Sequence, residues 1–189
     1  MGFFRSALVV IIVIVVAVAA YAYSGAYNVS AIPPHGVFAD WFLHTAMERS
    51  VERHAEDVEV PDLDEEALVE KGLEEYDEEC VACHGAPGVE PADLAKGLRP
   101  EAPELAHEGV EEWTSGELFW IVKNGIRMTG MPAWGPTHED RELWAIVAFM
   151  RRLPEMSASE YEGMLERHGG EEDESVSPGS GSTAGSHGH

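Results

Sequence analysis

Cysteine occurs only twice in these 189 residues, and Lys and Arg together only 12 times against 35 Asp and Glu. Each scarcity removes a class of protein. Two cysteines cannot complete a structural zinc site, and none of the nine histidines forms an H-x3-5-H partner pair downstream. With so few basic residues there is no patch to meet phosphates, which excludes nucleic acid as a partner. A strongly alternating strand run is missing beside the cysteines, so the strand-helix-strand setting of a thioredoxin-type dithiol is absent as well. No paired carboxylates or nucleophile motif suggests a separate catalytic apparatus, and no small-molecule substrate is expected.

What the chain does have is Cys80-Val81-Ala82-Cys83-His84. Two thiols three apart with an adjacent imidazole are what covalent haem attachment requires: each thiol adds across one haem vinyl group, and the next residue meets the iron from one side. Cys80 and Cys83 are the expected attachment points of one haem c, and His84 the expected iron ligand. The other face of the iron is offered a sulfur in Gly130-Met131-Pro132-Ala133-Trp134-Gly135. A thioether is soft and neutral, favours ferrous iron and suits an electron carrier.

With these two motifs the chain resembles class I cytochromes c, specifically small bacterial ones with a G-M-P-A-W type methionine loop, over about residues 64 to 154. The resemblance implies an all-α haem domain. It also implies that Gly72 and Tyr76 on an N-terminal helix cross Ile146 and Phe149 on a C-terminal one, glycine allowing close approach of the backbones. Pro103 is the best match to the proline whose carbonyl takes the second N–H of the axial histidine. Among the seven methionines the family pattern favours Met131, followed by proline, as the second metal ligand. Met128 is then expected to pack, Met150 to lie in the core or on a helix surface, and Met47, Met156 and Met164 to fall outside the domain.

Residues 7–23 carry no charge and nearly span or span a bilayer. Tyr21, Tyr23 and Tyr27 suit an interfacial belt, which favours a retained anchor over residues 1–24. A cleaved signal peptide is the rival, because Ala17-Val18-Ala19 and Ala20-Tyr21-Ala22 supply small residues at fitting offsets. Arg5 and the amino terminus are the only positive charges near the span, so everything after residue 24 is expected outside the cytoplasmic membrane, in the bacterial periplasm. Residues 25–63 form a linker that bends at Pro33-Pro34 and continues as a helix from Phe38 to Ala55, its face of Leu43, Met47 and Val51 free to lie on membrane, haem domain or partner.

Within the haem domain, 64–154, the pattern predicts a helix from Asp64 to about Glu78 capped by Asp62 or Asp64. A second helix, capped by Thr114 or Ser115, runs through Leu118 to Lys123 and stops at Asn124-Gly125. The methionine loop follows over 126–137, and His138 or Glu139 opens a last helix that runs to Leu153. Trp113, Trp120, Trp134 and Trp144 are available to wall the haem pocket. The tail, 155–189, holds at most a short helix, an acidic run at Glu171 to Glu174 and a Gly/Ser-rich end that cannot bury a core and is expected to be disordered. His168, His187 and His189 there suit weak copper or nickel binding less well than a plain solvated tail.

Residues 64–154 alone hold 20 acidic and 8 basic side chains. Such a surface fits steering toward a basic redox partner or adaptation to salt. The expected function is a membrane-tethered monohaem cytochrome passing single electrons between respiratory partners, as a carrier or as a subunit of an oxidase, reductase or dehydrogenase. The alternative is a haem enzyme or gas sensor with a labile methionine; Met131 and the lack of a distal His-Arg pair argue against it.

Overall fold

A computed structural model describes residues 2–34 and 36–175, without the side chains of 169–175. The Gly/Ser-rich end with His187 and His189 lies outside the described residues. The chain divides into two units, Met1–Pro33 and Pro34–His189.

The first unit is built on α1, Gly2–Tyr23, which buries none of its side chains. A helix that is apolar all round cannot hide a face against itself in water, and 22 residues rise about 33 Å, enough to cross a hydrocarbon core. It ends where the Ser24 hydroxyl turns back to donate to Tyr21 O at 2.7 Å and Gly25 takes a φ of 68°.

The second unit is helical; among the described residues it has no strand, only an isolated bridge between Ala86 and Val89. Its helices are α2 (Val37–Ala55), α3 (Glu66–Glu79), α4 (Val81–His84), α5 (Ser115–Asn124), α6 (Asp140–Met150) and α7 (Ala158–Ser175), with short 3-10 turns at Ala95–Gly97 and Leu153–Glu155. The core is the crossing of α3 and α6, the most extensive helix pair in the unit. Leu143, Ala145, Ile146, Val147 and Phe149 of α6 are fully buried there. Gly72 makes the crossing close: a Cβ at this position would lie 1.9 Å from Ala145 O and 2.8 Å from Phe149 Cβ. The partner of Gly72 is thus the Ala145 carbonyl and Phe149, while Tyr76 meets Phe149 with ring centroids 5.3 Å apart.

Helix ends differ in detail from the sequence pattern. Glu65, not Asp62 or Asp64, is the residue before α3; the Asp62 carboxylate instead accepts from Asp64 N within the preceding turn. Thr114 caps α5 in a reciprocal box with Glu117, and Glu139 with Glu142 does the same for α6. α6 stops at Met150, and Leu153 and Pro154 belong to a separate 3-10 turn.

Two elements outside 64–154 join the domain. The end of α2 buries Val51 and Ala55, sets His54 against Trp120 of α5 in a tilted pair with centroids 5.5 Å apart, and is followed by Val58, 3.5 Å from where a Gly116 Cβ would be. Past residue 154, α7 occupies part of what the sequence reads as tail. Its Tyr161 is buried against Phe149 and donates to Asp77 Oδ1 on α3 at 2.6 Å. Met156 and Met164 pack against the same core, contrary to their expected place outside the domain.

Candidate functional site

α3 and α4 are almost one helix, and the candidate site begins where they meet. Cys80 ends α3, and its carbonyl accepts from both Cys83 N at 3.0 Å and His84 N at 2.9 Å. One tight turn therefore sets the three side chains relative to one another. Both thiols are free. Cys80 is buried, and that burial, aided by the charges around it, pushes its thiol up to about 12.

α4 stops at Gly85, whose φ of 65° suits glycine and whose missing side chain lets Val89 O approach. Tyr76 pins this turn by donating its buried hydroxyl to Gly85 O at 2.8 Å. His84 Nδ1 lies 2.8 Å from Pro103 O. A carbonyl can only accept, so Nδ1 carries the proton and Nε2 is the nitrogen with a free lone pair. Burial holds the His84 imidazole below its ordinary pKa, which favours that neutral form; the Pro103 bond opposes the shift less strongly. The proline picked out by resemblance is thus the one that orients the ring.

Met131 sits half-buried in the loop between α5 and α6 and packs against the hydrophobic cluster that also contains Cys80. The loop is held from inside and at both ends. Thr129 Oγ1 donates to Ile126 O at 2.7 Å and accepts from Met131 N at 3.1 Å. Trp134 N and Gly135 N then donate to the terminal α5 carbonyls of Val122 and Lys123, at 3.2 and 3.0 Å, satisfying groups a helix end leaves open. Lys123 and Asp140, at the end of α5 and the start of α6, close the base of the loop at 2.5 Å. Met128 behaves differently from expectation. It is 70% exposed with a φ of 66°, and packs on nothing in the core.

Leu98, Glu75 and Arg151 also shape the site and carry no recognisable sequence signal. Leu98, after the 3-10 turn that touches α4, fills the space a Gly130 side chain would need, 2.4 Å from its Cβ position. Glu75 is a buried carboxylate between Lys71 at 2.8 Å and His138 at 3.5 Å, joining α3 to the segment just after the methionine loop. Arg151 donates to Ser115 Oγ, Val110 O and Trp113 O, fastening the long loop before α5 to the end of α6. Trp144 stacks on Phe119 at 4.1 Å and Trp134 meets His138 edge-on.

Two free thiols, an imidazole with Nε2 bare and a half-buried thioether are the donor set that covalently held, six-coordinate haem takes, so these residues fit the group. Residues 67–150 match the family model described as cytochrome c oxidase, cbb3-type, subunit III. This is a cytochrome c domain. A curated relative of the cytochrome domain is the cbb3-type cytochrome c oxidase subunit CcoP of Azospirillum brasilense, 33% identical over 91 residues. That stretch is 46% of this chain and 29% of the relative, so the chain corresponds to under a third of that protein's length. No solved structure matches the chain. Haem c with its iron is the cofactor that a cytochrome c domain implies.

Proposed function

We propose that the chain is a membrane-tethered monohaem cytochrome that passes single electrons within, or to, a respiratory oxidase complex on the outer face of the cytoplasmic membrane. Similarity to an oxidase subunit supports that assignment of partner class, and α1 supports the tether. Cys80 and Cys83 form the two thioether bonds, and with no further cysteine the chain attaches one haem. His84 Nε2 and the Met131 sulfur are the two iron ligands. The bound haem supplies a one-electron couple. Around it the protein would keep His84 aimed and basic through Pro103 and hold Met131 on a loop stitched to α5 and packed on the apolar cluster.

The observation that carries this reading is the His84 to Pro103 bond. It leaves one nitrogen to donate, on a ring next to two free thiols. The chain moves electrons and turns over no small molecule itself. Tethering by α1 replaces a three-dimensional search by a local one and raises the concentration seen by membrane partners. Arg5, the basic residue flanking the span, orients it with the cytochrome domain outside.

Haem staining after denaturing electrophoresis tests the attachment. The wild-type band is expected to stain and the Cys80→Ser/Cys83→Ser band to be blank; staining of the double variant overturns it. Recovery of oxidase subunits when the full chain is purified from membranes in mild detergent tests the partner class. Isolation of the haem-loaded chain free of any oxidase subunit contradicts a subunit role.

A further inference from the structure

Between the end of α1 and the middle of α2 the chain loses its acidity. Residues 24–47 contain one carboxylate, Asp40, and neither Lys nor Arg. The same stretch displays uncovered apolar side chains, among them Ile32, Val37 at 89% exposure, Phe38 at 75%, Trp41 at 60% and Phe42 at 55%. α2 is consequently a helix of two halves. Its second half buries Val51 and Ala55 against the cytochrome domain and is clothed in ion pairs such as Arg49 to Glu52 at 2.7 Å. Its first two turns carry the aromatic cluster, with the Phe38 and Trp41 rings 5.8 Å apart.

We propose that the first two turns of α2, Val37 to Leu43, insert their aromatic side chains into the headgroup region of the bilayer that α1 crosses, giving the cytochrome domain a second membrane contact. The proposal rests on α1 being a retained span. Thirteen residues separate α1 from α2, and such a connection reaches at most about 45 Å, so the tip is tethered within reach of the membrane surface. Trp and Phe on a helix of low charge are the side chains that settle at the lipid-water boundary. Residues 64–154 suit that role less well, because 20 acidic against 8 basic side chains leave them net negative and repelled by anionic headgroups. The charge-poor tip is continuous in sequence with the span, and that continuity selects lipid over a protein partner as its occupant.

The test uses the full haem-loaded chain in phosphatidylcholine vesicles, with a photo-crosslinking benzophenone replacing the native side chain at Phe38, Phe42, Val13 or Arg49. Mass spectrometry then identifies the adducts. Lipid adducts are expected at Val13, Phe38 and Phe42, on the order of ten-fold above those at Arg49, which faces water on the polar half of α2. Lipid adducts at Val13 with none at Phe38 or Phe42 overturn the proposal while leaving the span intact. Crosslinks from Phe38 or Phe42 to a second copy of the chain overturn it in favour of self-association. Absence of lipid adducts at Val13 removes the retained span and the proposal with it.

Discussion

On one side of the proposed haem site, Cys80, Cys83 and His84 share a single helical turn, two of their amides donating to one carbonyl. On the other, Met131 hangs in a loop whose shape depends on Thr129, on two α5 carbonyls and on an ion pair at its base. The first arrangement is local, and distant contacts are needed only to orient the ring. The second is assembled from parts of α5, α6 and Leu98, and each part can be loosened separately. On the proposed ligation, strength of attachment would reside with the cysteine side, while the methionine side would govern ligand exchange and tune the potential.

The largest effect expected on this contrast is at the cysteines, where Cys80→Ser/Cys83→Ser abolishes covalent haem altogether. Next is Met131→Ala. It should lower the midpoint potential by on the order of 100 mV, within the range axial ligands command, and let ferrous iron bind carbon monoxide. Met128→Ala should do neither, since that side chain is 70% exposed; the reverse result would exchange the two methionines.

Smaller effects sharpen the comparison. Gly72→Ala places a methyl 1.9 Å from Ala145 O and should cost ~1–3 kcal/mol in thermal unfolding, with the visible spectrum retained. That outcome separates fold stability from ligation, and an altered spectrum would deny the separation. Thr129→Val removes the hydroxyl that bridges Ile126 O and Met131 N. A loss of ~1 kcal/mol is expected, accompanied by slow carbon monoxide binding that the wild-type protein does not show. Unchanged ligand exchange would show that the loop is held by its ends alone.

Tyr76 and Tyr161 supply the mildest effect, in alkali. Burial raises both phenols well above their ordinary range, with the bond to Asp77 adding to the shift for Tyr161. The unfolded chain then gives up these protons first. Stability is fully present below about pH 10 and declines as pH rises beyond it. Denaturant unfolding between pH 8 and about 11 should show this decline, and Tyr161→Phe should make it shallower.

The sequence makes the local half of the site readable and much of the assembled half unreadable. Cys80, Cys83 and His84 declare themselves by spacing, Thr114 and Glu117 form a recognisable cap, and the Gly72 crossing and the Pro103 bond follow from resemblance. Met131 stands out through the proline after it, but its supports do not. Leu98 against Gly130, His138 against Glu75 and Arg151 against three partners join residues far apart in the chain through single contacts without periodicity. The same reason conceals α7, where one buried tyrosine attaches an otherwise polar helix, and the packing of α2 through Val51, Ala55 and His54. Met128 illustrates the converse: an apolar residue expected to pack sits at a positive φ with its side chain exposed.

The measurement that tests the central claim most directly is the ferrous absorption spectrum of the haem-loaded chain, recorded with and without carbon monoxide. An unchanged low-spin spectrum is the result expected of iron closed by His84 and Met131. Rapid formation of a carbonyl adduct in the wild-type protein would contradict it, marking an open iron and the chemistry of a gas or peroxide site.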